Sequence, residues 1–196
     1  MKRLAAALAL MLAVAACGQR VPGSKSAAVE GPDQGSFNWD TPEPDGLFMT
    51  VTDLSSIESS LPFSPIEPRL DGFLHIDATD PSKVDMDGRL LLFFYEDPTY
   101  GRVIVKEQLN RISLSTLEGL LVYNNDEASP VTFSLVNLND GTEALVKVQK
   151  APSVDGLAPN SVEFIESSVD VTIFGPDKTF SSDAAVKVAN LVTPVK

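Results

Sequence analysis

Apolar and polar residues alternate along four stretches of the chain, which is the pattern of a β-strand with one buried face. These stretches are residues 47–51, 131–135, 144–148 and 169–173. A different pattern occurs at 90–95, where apolar residues follow one another without interruption. Such a run is typical of a strand that is covered on both faces, so it predicts the centre of the core.

Further strands are predicted at four places, and turn residues separate them. The segments are 73–78, 103–108, 162–166 and 186–192. The residues around 184–189 also fit a helix, but their valine content favours a strand. Five Asp-Gly pairs interrupt the pattern, and this dipeptide tolerates the positive φ that hairpin turns require. The strongest predicted hairpin turn is at 139–142, and a second hairpin joins 73–78 to 89–95.

Helix signals are few. A Ser-x-x-Glu capping box at 55–58 predicts a short helical turn within 54–61. The same motif at 115–118 precedes β-prone residues, which leaves that segment open between helix and strand. Short strands with frequent turns predict an all-β fold. We expect a single β-sandwich, immunoglobulin-like or a related Greek key, with at most short helices; a partly closed barrel is the alternative.

The N-terminus carries a targeting signal. Lys2 and Arg3 are followed by an apolar run over residues 4–14. This run is too short to cross a bilayer, which takes roughly 20 apolar residues, so it predicts a signal peptide at 1–16. The sequence Val-Ala-Ala-Cys that ends at Cys17 resembles the lipobox of bacterial lipoprotein precursors.

The lipobox resemblance implies that the Cys17 thiol is diacylglycerated, that the chain is cut before it, and that the new amino group is acylated, in many such proteins by palmitate. Several acyl chains would then anchor the protein to a membrane. In this class an aspartate after the cysteine retains proteins at the inner membrane, so Gly18 favours the outer membrane of a Gram-negative envelope. The alternative is an ordinary secretory signal that leaves Cys17 as a free thiol.

A flexible tether is predicted between the lipid and the folded domain. Residues 17–46 are rich in proline and glycine and poor in large apolar residues, so they cannot bury enough surface to fold alone. The folded β-rich domain is expected at 47–196. Phe37 and Trp39 are exceptions within the tether, since we expect them to dock on the domain; an exposed patch that contacts a partner is the alternative.

Composition and charge exclude several functions. The chain has 15 Lys and Arg against 27 Asp and Glu, a net charge of −12, which argues against a nucleic-acid binder. Loss of Lys2 and Arg3 with the signal peptide lowers this charge to −14. One Cys and one His exclude disulfide frameworks and multi-histidine metal sites. The histidine, His75, falls in a strand pattern and is expected to be structural.

Two weaker motifs have a functional interpretation beside a structural one. The first is a set of four aspartates that could supply calcium ligands or form a solvated turn: Asp77, Asp80, Asp85 and Asp87. The polar run at 124–127 has the same weak character. The second motif is a proline every third residue, at Pro62, Pro65 and Pro68, which could dock in an aromatic groove of a partner. We expect it instead to be a stiff crossover between two sheets, with Phe63 and Ile66 packed beneath it.

No catalytic motif is recognisable, and neither is a phosphate loop or a cofactor motif. We therefore expect a lipid-anchored envelope protein with a non-catalytic binding or accessory role, a protein partner in the envelope and no cofactor. The first alternative is a lipoprotein that binds a small ligand or calcium. The second is a hydrolase whose site has no recognisable motif.

Overall fold

The strands predicted before residue 186 are all present, and backbone hydrogen bonds join them into one antiparallel sheet. The computed structural model describes residues 37–44, 46–110 and 129–192. The strands are β1 (Phe48–Val51), β2 (Phe73–Thr79), β3 (Leu90–Asp97), β4 (Gly101–Leu109), β5 (Val131–Asn137), β6 (Glu143–Gln149), β7 (Pro159–Glu166) and β8 (Val169–Pro176).

The strand order is β1-β2-β3-β4-β8-β7-β6-β5. Each half of the sheet is a meander of four consecutive strands, and pairing between β4 and β8 joins the halves at the centre. In the described part of the chain, β1 and β5 are the edges, and the sheet is not closed into a barrel. The predicted all-β, sandwich-like fold is confirmed.

One face of the sheet, which we call the inner face, carries the main hydrophobic core. Phe93, Val105 and Ile173 lie side by side on this face and are almost fully buried. Helix α1 (Ser182–Val192) packs over β6 and β7. Ser181 begins the helix, because its hydroxyl accepts a hydrogen bond from the Ala184 N–H at 3.3 Å.

Helix α1 overturns the strand predicted at 186–192. Its buried residues recur at the spacing of one helical face: Ala184, Ala185, Val188, Ala189 and Val192. The alanines favour a helix, and packing of this apolar face outweighs the modest strand preference of the valines. Valine content was therefore the wrong criterion here.

The opposite face, the outer face, carries a second apolar cluster centred on Leu92, Phe94 and Ile104. Phe37 and Trp39 pack against it, as expected, together with side chains of β1, β3 and β8. The segment 37–44, which we call the N-terminal strap, lies within the predicted tether 17–46. Because both faces of β3 are covered, residues 91–95 are all buried, which confirms the interpretation of the apolar run.

The connection from β1 to β2 begins with two short 3₁₀ turns, Leu54–Ser56 and Glu58–Ser60, where a helical turn was predicted. Residues 61–70 follow as the crossover segment. Phe63 is buried and Ile66 packs against the core, as expected. The segment joins neighbouring strands of one sheet, however, so the expectation that it connects two sheets was wrong.

Both predicted hairpins are confirmed. The turn between β5 and β6 contains 139–142, and β2 pairs with β3.

The signal peptide, Cys17, and the motifs at 115–118 and 124–127 lie outside the described residues. Within the described residues, no helix is long and apolar enough to cross a membrane.

Candidate functional site

A cleft of about 450 Å³ opens at one end of the sheet. Four separate parts of the chain line it: the strap at 39–40, the β3–β4 hairpin at 96–102, the β6–β7 loop at 155–157, and the turn after β8 at 176–179. We call it the Trp39 cleft. Its volume falls in the range of about 300–1,000 Å³ that is usual for ligand sites.

Trp39 is held in place by contacts on several sides. Its indole N–H donates a hydrogen bond to the Leu157 carbonyl at 2.8 Å, which joins the strap to the β6–β7 loop. The Phe37 ring meets it edge-on, with 4.7 Å between centroids, and Phe37 in turn contacts Phe174 of β8. The one tryptophan of the chain therefore has a fixed orientation and is half-buried in the cleft.

The β3–β4 hairpin forms a second wall. Asp97 shapes its turn, because its Oδ1 accepts hydrogen bonds from the Thr99 and Tyr100 N–H groups at 2.7 and 2.9 Å. The Thr179 hydroxyl donates to the Tyr100 carbonyl at 2.5 Å, which ties the turn after β8 to this hairpin. The two loops are thus fixed to each other, and Tyr100, whose ring meets Phe180 edge-on at 6.1 Å between centroids, is among the residues that line the cleft.

The β6–β7 loop is organised by one serine. The Ser153 hydroxyl accepts hydrogen bonds from the Leu157 and Ala158 N–H groups at 3.0 and 3.1 Å. Asp155 accepts from the Leu157 N–H and from the Ser153 hydroxyl, and both bonds lower the pKa of Asp155. The loop therefore presents an ionised carboxylate and the exposed side chain of Leu157 at the rim of the cleft.

Gly156 is required at the tip of this loop. Its φ of +70° lies in the left-handed region that residues with a Cβ rarely adopt. Carbons of the Lys178 side chain also lie 3.1 Å from the position that a Cβ would occupy. The stem of Lys178 thus packs over the loop and forms part of the wall.

Acidic side chains outnumber basic ones around the cleft. Arg102 donates hydrogen bonds to Asp40 at 3.1 Å and to Glu96 at 3.0 Å. The arginine side chain is 28% exposed, whereas those of Asp40 and Glu96 are 86% and 55% exposed. Because one guanidinium is shared by two carboxylates, the group as a whole keeps a negative charge that faces solvent.

No family model, curated protein or solved structure matches this chain. The cleft combines two aromatic residues, acidic side chains and loops that are hydrogen-bonded to one another. A concave site that combines apolar area with a few polar groups can bind a ligand and fix its orientation.

The four aspartates proposed as calcium ligands are not brought together as one ligand set. Asp77 accepts a hydrogen bond from the Thr50 hydroxyl at 2.7 Å. Asp80 accepts hydrogen bonds from the N–H and the hydroxyl of Ser82, two residues further along the chain. Asp85 and Asp87 lie at a 3₁₀ turn, Met86–Gly88. Over residues 37–44, 46–110 and 129–192, no group of three His, Cys, Asp or Glu side chains has the geometry to hold a metal ion.

The remaining predicted residues have structural surroundings. Pro62, Pro65 and Pro68 are half-buried in the crossover segment, and the Pro68 carbonyl accepts a hydrogen bond from the Tyr95 hydroxyl at 2.9 Å. His75 stacks on Phe94 of the outer face with 4.3 Å between ring centroids, in agreement with a structural role.

Sequence reasoning missed a buried carboxyl group on the inner face. Glu107 of β4 is fully buried, and its Oε2 accepts a hydrogen bond from the Ile66 N–H at 3.1 Å. Its Oε1 has no hydrogen-bond partner among the described residues. Burial raises the pKa of Glu107 to about 7; the Ile66 N–H opposes this effect and the charge of Glu67 adds to it.

A pair of carboxyl groups on the outer face was missed as well. Glu163 of β7 and Asp170 of β8 lie on neighbouring strands, and burial raises the pKa of both carboxyl groups. Burial, followed by the charge of Asp170, raises the pKa of Glu163 to about 7. The side-chain amide of Gln108 on β4 donates a hydrogen bond to Asp170 at 2.8 Å. Lys106, also on β4, donates a hydrogen bond to Glu43 of the strap at 2.8 Å.

Proposed function

We propose that the chain is a lipid-anchored protein of the cell envelope that binds a partner protein in the Trp39 cleft, without catalysing a reaction. Anchoring rests on the signal peptide and on the lipobox that ends at Cys17. Binding rests on the geometry of the cleft. Gly18 favours the outer membrane, if the envelope has two.

The observation that carries the proposal is the construction of the cleft. Four segments line it, and hydrogen bonds join them in pairs, among them Trp39 to Leu157 and Thr179 to Tyr100. A site whose walls are fixed before binding loses little conformational entropy when it is occupied. Leu157, 47% exposed at the rim, offers apolar area of the kind that protein interfaces bury.

The strap adds a link between anchoring and binding. The strap lies within the predicted tether, and its residues Trp39 and Asp40 line the cleft. In the proposed function, a partner at the cleft is therefore held close to the point where the tether joins the domain.

Site-specific cross-linking in intact cells tests this function. A photoreactive amino acid is placed at position 157, on the cleft rim, and as a matched control at position 191, which is 58% exposed on α1. We expect one defined adduct at position 157 that is absent at position 191 and is lost in Trp39→Ala. The adduct should also weaken in Cys17→Ala, which removes the lipid. Equal labelling at both positions, or no adduct at position 157, would contradict the proposal.

A small-ligand role is the second candidate, because the cleft volume also suits a drug-sized molecule. It predicts a ligand that co-purifies with the protein and can be released by denaturation. Mass spectrometry of the released fraction would detect it, and the same ligand should be missing from Trp39→Ala.

A further inference from the structure

We infer that the Trp39 cleft accepts a cationic side chain, arginine or lysine, from a basic segment of the partner protein. This inference rests on the proposed function and adds the chemistry that the partner must present. It follows from the charges around the cleft, from the aromatic residues that line it, and from the hydrogen bonds of Arg102 to Asp40 and Glu96.

The exposed charges around the cleft are mainly negative. Asp40 and Glu96 share Arg102, so their two charges are neutralised by only one. Asp155 adds a third carboxylate, which its hydrogen bonds keep ionised at neutral pH. Lys178 is the one further cation among the described lining residues. The mature chain carries a formal charge of −14, so its overall field attracts a basic partner as well.

The aromatic side chains favour a cation over a neutral polar group. Trp39 and Tyr100 both line the cleft. A guanidinium or ammonium within about 6 Å of an aromatic face is attracted by the ring quadrupole, most strongly at tryptophan. The methylene stem of such a side chain can also pack on Leu157 at the rim. The charged end and the apolar stem of one arginine or lysine thus find complementary surfaces within the same cleft.

An acidic segment fits the cleft poorly. Arg102 already binds two carboxylates at 3.0 and 3.1 Å, so its positive charge is offset within the cleft wall. An incoming acid would therefore meet the like charges of Asp40 and Glu96 beside the guanidinium. The arrangement therefore selects against acidic segments.

Fluorescence of Trp39 tests the local charge directly, because the chain contains no other tryptophan. Purified full-length protein is titrated with caesium and with iodide, a cationic and an anionic quencher. We expect caesium to quench more strongly than iodide, relative to free tryptophan in the same buffers. Glu96→Gln should reduce this preference, and Glu143→Gln, at the other end of the sheet, should leave it unchanged. Stronger quenching by iodide would overturn the inference.

Peptides test the ligand class with the same signal. The probes are a blocked heptapeptide with two arginines between glycines and serines, and the same peptide with citrulline or glutamate in place of arginine. We expect the arginine peptide to bind about tenfold more tightly than the citrulline peptide at low salt. The difference should shrink as salt is added. Equal affinity for arginine and citrulline, or tighter binding of the glutamate peptide, would overturn the inference.

The adduct from position 157 separates the two proposals. If the cross-linked segment of the partner contains arginine or lysine at the site of attachment, both stand. If that segment is acidic or neutral, the cationic ligand class is wrong and the proposed binding function is retained. If no adduct forms, the proposed function itself fails, whatever the peptides show.

Discussion

Replacing Glu107 by glutamine should remove much of the dependence of the protein's stability on pH. The carboxyl group is fully buried on the inner face, with one hydrogen bond from the Ile66 N–H. Burial disfavours its ionised form and raises its pKa from 4.5 to about 7. Glutamine has nearly the same shape and keeps an oxygen that can accept from Ile66, but it does not ionise.

The direction of the effect follows from proton binding. Between pH 4.5 and 7 the folded protein retains the Glu107 proton, whereas the unfolded chain has lost it. The folded state is therefore most favoured below pH 4.5, and this contribution is lost as the pH rises through 7. A pKa raised from 4.5 to about 7 corresponds to about 3 kcal/mol, of which about 2.5 kcal/mol falls between pH 5 and 8.

Urea unfolding at pH 5 and pH 8, followed by circular dichroism, measures this contribution. We expect the free energy of unfolding of the wild type to fall from pH 5 to pH 8, and the fall to be about 2–3 kcal/mol smaller in Glu107→Gln. Part of the fall should remain, because Glu163 also has a pKa raised to about 7. Glu143→Gln, an exposed control on β6, should behave as the wild type. An identical fall in Glu107→Gln and wild type would refute the reasoning.

Three further predictions concern packing, a turn and a metal. Gly175→Ala should destabilise the protein by on the order of 3 kcal/mol, since the Phe180 ring occupies the position that a Cβ would take; an unchanged melting temperature would contradict this packing. Gly156→Ala should cost about 1–2 kcal/mol, because of its φ of +70°, and should shift the emission of Trp39. The emission shift is the distinguishing result, since it is not expected in Gly88→Ala, where φ is not positive and an added Cβ would lie 3.0 Å from Val84 Cγ1. Millimolar calcium should leave the melting temperature unchanged, in the wild type and in Asp85→Asn alike, because the four aspartates do not converge; a rise that Asp85→Asn abolishes would restore the calcium hypothesis.

The strands were predictable because their signal is local. The alternation of apolar and polar residues depends only on which face of a strand is buried, and turn residues mark where a strand ends. For this reason β5, β6 and β8 could be located from sequence. The C-terminal helix was missed because its valines fit the spacing of a strand as well as that of a helix over a few residues. Only the apolar stripe of the helix, which includes Val188, distinguishes the two structures. The pairing of β4 with β8 has no local signal, and for this reason one continuous sheet could not be derived.

The Trp39 cleft could be predicted only in part. Trp39 stood out as a large aromatic residue in a polar segment, but Arg102, Leu157 and Lys178 reach it from three distant parts of the chain. Their meeting depends on strand order, which the sequence pattern does not reveal. Glu107 could have been found, since it occupies an inward position in the alternation of Val103, Val105 and Leu109. An acid at such a position predicts a buried ionisable group.

The central pairing of β4 with β8 also constrains how the chain can fold. Val169 pairs with Leu109, so β4 acquires its second neighbour only after most of the chain has been synthesised. Until then, β4 is paired only with the apolar strand β3, and the N–H and C=O groups on its other edge are unpaired. Such an edge invites aggregation, and contacts between distant residues form slowly. We therefore expect the sheet to be completed only after β8 has been synthesised.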